Sequence, residues 1–237
     1  MSILPQSFRH SLDRLLKALV PAGSCLLCGA DSGALPVCSD CRDDLPRLPA
    51  ALCPQCAQPS SEGRHCGACL ADPPHFDACH ALFLYDFPAD RLIQAFKYEH
   101  RLILGPWFAE QLAGHIQQQA IDCLIPLPLH ASRLQERGFN QAMEIARRLE
   151  NRLTIPVDRS SLVRARATAV QASLPHKERH GNVRSAFECR RDFSRQRILL
   201  IDDVLTTGAT AGECARVLKL HGATRVEIAV IARAARH

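Results

Sequence analysis

The chain has 237 residues, of which 47% are hydrophobic and 22% charged, with 12 cysteines and a net charge of +5. This composition excludes a disordered chain, because nearly half of the residues are available to build an apolar core. The length suits one large domain, or one ordinary domain and a small one. No apolar run approaches the roughly 20 residues that span a bilayer, so we expect a soluble protein without membrane insertion.

The first predicted element is an amphipathic helix within residues 1–22. Its apolar side chains recur at helical spacing, as Leu12 and Leu16 do. Asp13 and Lys17 interrupt the apolar stretch that a secretory signal would need. We therefore predict no export and a cytoplasmic location.

Eight of the twelve cysteines form four C-x-x-C pairs within residues 23–72. The pairs read C-x2-C-x9-C-x2-C twice, with a period of 28 residues, so the segment is an internal repeat. One C-x-x-C turn brings two thiolates to a metal, and a second turn completes a tetrahedral shell for zinc. The sequence predicts a double zinc ribbon with two structural zinc ions. The predicted ligands are Cys25, Cys28, Cys38 and Cys41 in the first repeat and Cys53, Cys56, Cys66 and Cys69 in the second.

Other arrangements of these cysteines stay open from the sequence. Pairs from different repeats could share a metal, a single site could be filled, or the cysteines could form disulfides in an oxidising compartment. His65 could also replace a thiolate as a ligand. Residues 1–75 hold 6 Lys or Arg against 7 Asp or Glu, which argues against the ribbons as the main site for a polyanion.

After a linker at residues 70–77, apolar strand-like runs alternate with helical patterns, which predicts an α/β domain over residues 76–237. A strand, a helix and a further strand near the C terminus predict a parallel sheet, with ligands beyond the carboxyl ends of its strands. The predicted strands are 78–87, 122–129, 196–204 and 223–234, and the predicted helices are 89–100, 104–119, 140–153 and 209–222.

The segment ILLIDDVLTTGATA, residues 198–211, lies where such a ligand would bind. Its turn at residues 206–210 suits a phosphate, because Gly208 permits close backbone approach and the following helix N-terminus adds positive potential. Asp202 and Asp203 would repel a phosphate, so we expect them to face ribose hydroxyls or hydrated magnesium. The alternative is an ordinary strand end with a Thr-Gly turn. The chain has neither a P-loop nor a G-x-G-x-x-G motif, which disfavours the folds that carry them.

The same segment resembles the motif of type I phosphoribosyltransferases that binds 5-phosphoribosyl-1-pyrophosphate (PRPP). The resemblance implies a parallel sheet flanked by helices, PRPP bound with magnesium, and pentosyl transfer with release of pyrophosphate. It assigns the ribose hydroxyls to Asp202 and Asp203. The phosphate ligands that it implies are Thr206, Thr207, Gly208, Ala209 and Thr210.

Three further segments, together with the cysteine-rich N terminus, resemble the ComF family of competence and DNA-utilisation proteins, including GntX-like members. They are FKYEH at residues 96–100, IPLPLHASRLQERGFNQA at 125–142 and RARATAVQASLPHKERHGNVRSAF at 164–187. In such enzymes one loop near the first central strand and one mobile loop close over pyrophosphate, and the resemblance implies that these are residues 126–137 and the region around residues 164–182. This implies PRPP contacts from Arg133, Arg137, Arg164 and Arg179, and catalytic roles for Lys97, Arg137, Asp202 and Asp203.

The basic charge is concentrated in residues 164–197, which hold 9 Lys or Arg against 3 Asp or Glu, as expected where a polyanion binds. A solvated basic surface is the alternative. We predict a PRPP-binding protein, a phosphoribosyltransferase of unknown acceptor that acts in DNA uptake, natural transformation or use of DNA as a nutrient. The competing hypotheses are a non-catalytic PRPP sensor that binds single-stranded DNA or a competence or DNA-processing protein, and a zinc-dependent adaptor.

Overall fold

The structure, a computed structural model, describes residues 23–116, 121–165 and 185–235. The chain divides into two compact units, of which one ends at Asp44 and the other begins at Leu45. None of the helices in the described ranges has the length and apolar character that a bilayer crossing requires.

The first unit contains the first cysteine repeat. Strands β1 (Gly23–Ser24) and β2 (Asp31–Gly33) pair antiparallel, and helix α1 (Ser39–Asp43) begins directly after Cys38. Val37 is fully buried, but elements this short bring few other apolar side chains together. A metal site can supply the folding free energy that such a small core lacks.

The second unit is built on a four-stranded parallel sheet in the order β3, β8, β7, β4. Ile201 in the central strand β7 pairs with Pro126 on one side and with Ala229 on the other. A small antiparallel pair, β5 with β6, lies outside this sheet. The strands are β3 (Ala78–Leu84), β4 (Cys123–Pro126), β5 (Leu162–Arg164), β6 (Phe187–Cys189), β7 (Arg197–Leu205) and β8 (Arg225–Arg233).

Helices cover both faces of the sheet. Successive residues of a strand face opposite sides, and the continuous buried runs at residues 198–201 of β7 and 226–233 of β8 show that both faces of these strands are covered. Helix α7 packs on one face, in a cluster with Ile198, Leu200 and Ile228, while α4 and α6 contact the strands from the other side. The helices of this unit are α2 (Gly67–Ala71), α3 (Ala89–Tyr98), α4 (Leu104–Ala113), α5 (Ala131–Arg137), α6 (Gln141–Leu153) and α7 (Ala209–Leu220).

Every strand and helix predicted for the α/β domain is present, which confirms the fold class, although some ends differ. The strand predicted at residues 122–129 stops at Pro126, and residues 117–119 of one predicted helix lie outside the described ranges. The region predicted as a loop over residues 126–137 contains α5. This helix forms because the His130 side chain accepts a hydrogen bond from the Ser132 N–H at its start, and Gly138 in a left-handed conformation ends it.

The second cysteine repeat shares the apolar core of the α/β unit. Cys53, Cys56 and Cys69 are buried in the same cluster as Phe76 and the side chains of β8. The Gln55 side-chain amide donates to the carbonyl of Phe76 at 3.0 Å, which ties the ribbon to the segment that leads into β3. The bounds predicted from the sequence, 1–22, 23–72 and 76–237, stay predictions about which segments fold independently.

Candidate functional site

The cysteines form two separate four-thiol groups, one in each repeat. Within each group the four sulfur atoms all lie within 4.8 Å of one another. The Sγ atoms of Cys28 and Cys38 are 3.7 Å apart, and those of Cys56 and Cys66 are 3.6 Å apart. A tetrahedral shell with zinc–sulfur bonds of about 2.3 Å places its sulfurs about 3.8 Å apart, so both groups fit zinc.

This grouping excludes two of the arrangements that the sequence left open, a metal shared between repeats and disulfide bonds. Each metal site is formed within one repeat, and all eight cysteines are free thiols, since a disulfide would bring two sulfurs to about 2 Å. Neither group of described ligands includes His65. Burial would raise the pKa of Cys53, but N–H donors at Cys66, Cys56 and Gln55 outweigh it and lower the pKa to about 6. Such donors favour the thiolate that zinc binds.

A cavity of about 370 Å³ opens at the carboxyl ends of the parallel strands. The segments that follow β3, β4 and β7 meet at this edge, where ligands of open parallel sheets bind. Its polar lining residues are Tyr85, Lys97, Tyr98, Arg133, Arg137, Asn140, Gln141, Arg164, Asp202, Asp203, Thr206 and Thr210.

Two adjacent carboxylates and a lysine form the acidic part of the cavity. The Lys97 ammonium lies 2.9 Å from an Asp203 carboxylate oxygen, and the two side chains are 17% and 10% exposed. Burial would lower the pKa of Lys97, but the charge of Asp203 outweighs it and raises that pKa. Burial and then the charge of Asp203 raise the pKa of Asp202 to about 7. Asp203 is therefore paired by Lys97, while Asp202 is poised to change its charge near neutral pH.

The turn at residues 206–210, which we call the TTGAT loop, connects β7 to α7. Gly208 caps α7 with a φ of 84°, a left-handed conformation that side chains disfavour. A Cβ atom at this position would lie 3.4 Å from the Phe76 ring, which is van der Waals contact, so the backbone conformation and not the space favours glycine. A small cavity of about 60 Å³ is lined by Thr206, Gly208, Ala209 and Thr210 together with the end of β7. The N-terminus of α7 faces this space with the N–H groups that anions prefer.

Three arginines form the basic part of the cavity. Arg137 lies over the Tyr98 ring, 5.1 Å from its centroid, and donates to the Gln141 side-chain oxygen at 3.3 Å. Arg164 lies over the Phe187 ring, and burial followed by the charge of Arg133 lowers its pKa. Positive charge therefore converges on one side of the acidic pair.

The structure brings together most of the residues that the sequence and the resemblance indicated. Lys97, Arg133, Arg137, Arg164, Asp202, Asp203, Thr206 and Thr210 line the large cavity, while Gly208 and Ala209 line the small one. Thr207 is buried, and its hydroxyl accepts from the Ala209 N–H at 3.2 Å. Arg179 and the rest of residues 166–184 lie outside the described ranges.

Sequence reasoning missed four polar residues of the cavity, which are Tyr85, Tyr98, Asn140 and Gln141. Asn140 caps α6 and donates to the Leu127 carbonyl, which fixes the segment after β4. Gln141 is buried, and its amide nitrogen has no hydrogen-bond partner within the described residues. Tyr98 is 63% exposed at the rim. The position of Asn140 just before a helical pattern, typical of an N-cap, was the only signal for any of them.

Two domain families match the chain. Residues 15–70 match the Double zinc ribbon domain, and residues 134–237 match the Phosphoribosyl transferase domain. The chain is also 30% identical over 209 residues to Competence protein F of Haemophilus influenzae, an alignment that covers 84% of this chain and 90% of that protein. The chain belongs to the ComF family.

Other members align over similar lengths. DNA utilization protein YhgH of Escherichia coli K12 is 31% identical over 228 residues, which is 91% of this chain and 99% of that protein. Competence protein ComFC of Streptococcus pneumoniae is 26% identical over 90% of this chain and 93% of that protein. ComF membership thus covers both the ribbons and the α/β domain.

Among solved structures, a purine phosphoribosyltransferase from Pyrococcus horikoshii is similar to this ComF chain. The two are 20% identical, the match covers 65% of this chain and 78% of that one, and the TM-score is 0.34. The type I phosphoribosyltransferase fold rests on the domain match and on the parallel sheet with its flanking helices.

Proposed function

We propose that this ComF protein binds PRPP with magnesium in the cavity at the carboxyl ends of β4 and β7, and that it transfers the phosphoribosyl group to an acceptor. One observation carries the proposal. A single cavity joins an acidic pair to an arginine cluster, and the TTGAT loop borders it. PRPP has the matching sequence of groups, with a 5′-phosphate, a ribose with free hydroxyls and a pyrophosphate.

The two ends of PRPP and its ribose would occupy different parts of the site. The 5′-phosphate would take the TTGAT loop, where N–H groups of α7 and the Thr206 and Thr210 hydroxyls donate. Asp202 and Asp203 would accept hydrogen bonds from the ribose hydroxyls. The pyrophosphate, with hydrated magnesium, would face the three arginines Arg133, Arg137 and Arg164. Arg179, outside the described residues, is proposed as a further PRPP ligand from the ComF resemblance alone.

In the transfer the bond between ribose C1 and the pyrophosphate oxygen breaks, and the oxygen keeps the electron pair. The acceptor forms the new bond to C1 and gives up a proton. No protein nucleophile is needed, so the residues act by holding the ribose and neutralising the departing charge. Lys97 neutralises Asp203 and so supports the group that would hold the ribose. Arg137, which hydrogen-bonds to Gln141 and Tyr98, would neutralise the departing charge.

The relatives' names support a cellular context for the proposed activity. They are a competence protein and a DNA utilization protein, and we propose that this chain likewise acts in DNA uptake or use of DNA. A four-thiolate site needs reduced cysteines, which favours a cytoplasmic location. Single-stranded DNA and competence or DNA-processing proteins are the partners that follow from this role.

Titration calorimetry with PRPP and magnesium tests the binding site. The wild-type chain should bind, and a variant carrying Asp202→Asn and Asp203→Asn should lose at least about tenfold in affinity, because each lost charge-assisted hydrogen bond is worth about 1.5 kcal/mol or more. Glu110→Gln is the control, since Glu110 is an exposed carboxylate outside the cavity. Equal affinity in the double variant and the wild type would contradict the proposal.

Turnover needs a separate measurement. Pyrophosphate release from PRPP, followed with a panel of nucleobases and amines, should occur with the wild-type chain and fall in Arg137→Met. If PRPP binds and no acceptor elicits release, while single-stranded DNA binds with a steep salt dependence, the chain is a PRPP sensor and not a transferase.

A further inference from the structure

A buried arginine joins the second cysteine cluster to the TTGAT loop. Arg233 is the last residue of β8, and its side chain is fully buried. Its Nε donates to the carbonyl of Cys56 at 2.7 Å, and Cys56 belongs to the second four-thiol group. Its Nη1 donates to the carbonyl of Leu205 at 2.7 Å and also to that of Thr206. One guanidinium therefore contacts a metal-ligating residue and the start of the proposed phosphate loop.

On the ribbon side, Arg233 contacts a turn that backbone hydrogen bonds hold in place. The Cys53 N–H donates to the Gln58 carbonyl at 2.7 Å, and the Ala57 N–H donates to the Cys53 carbonyl at 2.9 Å. The Gln58 side chain also donates to the carbonyl of Ala234 at 2.7 Å, and the same carbonyl accepts from Arg233. The turn that carries Cys53 and Cys56 is thus bonded to the end of β8 at two points.

The contact on the loop side fixes the first residues of the TTGAT loop. The Leu205 carbonyl accepts from both Arg233 and the Ala234 N–H, and the Thr206 carbonyl accepts from Arg233. Hydrogen bonds from a charged donor are about twice as strong as neutral ones. Because Thr206 opens the loop, its carbonyl orientation helps to set where the following N–H groups point.

We propose that Arg233 is a positioning residue that couples metal occupancy of the second cysteine cluster to PRPP affinity. Zinc closes the turn around Cys56, and a fixed Cys56 carbonyl holds the guanidinium in the orientation that supports Leu205 and Thr206. Four thiolates around one zinc ion carry two net negative charges, which favours a guanidinium bonded to the same turn. This inference rests on the proposed PRPP site.

The coupling is reciprocal by thermodynamic linkage. If zinc in the second cluster increases the affinity for PRPP, PRPP increases the affinity of that cluster for zinc by the same factor. Couplings of this kind are about 5- to 150-fold, and we expect about tenfold here. The first cluster belongs to the other compact unit, and we expect its zinc affinity to be independent of PRPP.

The experiment measures zinc transfer from the full zinc-loaded chain to a chromophoric chelator, with and without saturating PRPP and magnesium. In the wild type, PRPP should increase by about tenfold the chelator concentration that is needed to remove one of the two zinc ions. In Arg233→Met this protection should vanish, and PRPP affinity measured by calorimetry should fall by about tenfold. Arg225→Met is the control, because Arg225 lies at the other end of β8 and pairs with Glu227.

The outcomes separate this inference from the proposed function. PRPP binding by the wild type with no protection of either zinc ion overturns the coupling and leaves the proposed function intact. Protection that persists in Arg233→Met overturns the role of Arg233. Failure of the wild type to bind PRPP overturns the proposed function itself. The wild-type zinc measurement decides the coupling even if Arg233→Met does not fold.

Discussion

Asp202 and Asp203 are adjacent carboxylates, and Lys97 contacts Asp203 directly. Burial and then the charge of Asp203 raise the pKa of Asp202 to about 7. The unfolded chain has an ordinary aspartate pKa of about 3.9. The folded state therefore binds more protons than the unfolded state between these values, and stability falls as the pH rises through that window. This loss of stability applies to the chain without ligand, and hydrogen bonds from ribose hydroxyls to Asp202 would reduce it.

Asp202→Asn should remove that pH dependence. Asn keeps the oxygen that accepts from the Asp203 N–H at 2.9 Å, but it carries no charge. We expect the free energy of unfolding of the variant, relative to that of the wild type, to increase by about 2 to 3 kcal/mol between pH 5 and pH 8, because the wild type loses stability over this range. Urea unfolding of both proteins without PRPP at the two pH values measures the difference. A difference that is the same at pH 5 and pH 8 would show that Asp202 has an ordinary pKa.

At the scale of the elements, the TTGAT loop depends on its glycine for its backbone conformation. Gly208 adopts a positive φ, while a Cβ atom there would only come into van der Waals contact with the Phe76 ring. Gly212, one turn later in α7, offers a matched contrast. It has ordinary helical geometry, and a Cβ there would meet no atom within 4 Å outside the backbone of its own helix.

Gly208→Ala should weaken PRPP binding and destabilise the chain by about 1 to 2 kcal/mol, which is the cost of a left-handed conformation for a residue with a Cβ. Gly212→Ala should leave PRPP binding unchanged and stabilise α7 by up to about 1 kcal/mol through helix propensity. Thermal unfolding and calorimetry on both variants measure these effects. If the two substitutions behave alike, the special conformation of Gly208 does not matter for the loop.

Elements whose signals are local could be predicted from the sequence. Three kinds of element have a pattern that lies within a short stretch of sequence, and all are present. They are the C-x-x-C turns, the buried runs of β7 and β8 and the periodic helix α6. Such local patterns do not predict the surroundings of the Lys97 and Arg233 side chains. Helical periodicity alone indicates a surface lysine at Lys97, but α3 lies beside the end of β7 and Asp203 pairs with it. An arginine that ends an apolar strand indicates an exit to solvent, but the second ribbon covers Arg233.

At the scale of the whole molecule, the two cysteine repeats have different surroundings despite the same spacing. The first belongs to the unit that ends at Asp44, while the second shares the apolar cluster of the α/β unit. A sequence repeat therefore does not imply two equivalent modules. Zinc in the second cluster should stabilise the domain that carries the cavity, and zinc in the first should stabilise its own unit.

The purified chain should contain about two zinc ions, and single substitutions should remove them one at a time. Cys28→Ser and Cys66→Ser should each leave about one zinc per chain, because three thiolates bind zinc much less tightly than four. Only Cys66→Ser should lower the unfolding midpoint of the α/β unit. Elemental analysis combined with thermal unfolding tests both statements, and zero zinc in the wild type would refute the double ribbon.

We propose that the acidic pair and the TTGAT loop bind the two ends of a phosphoribosyl group. A crystal structure of the full chain with PRPP and magnesium tests it most directly. We predict the 5′-phosphate against the N-terminus of α7 at Gly208 to Thr210, the ribose hydroxyls on Asp202 and Asp203, and the pyrophosphate facing Arg133 and Arg137. PRPP bound elsewhere, or bound with its 5′-phosphate away from this loop, would contradict the account.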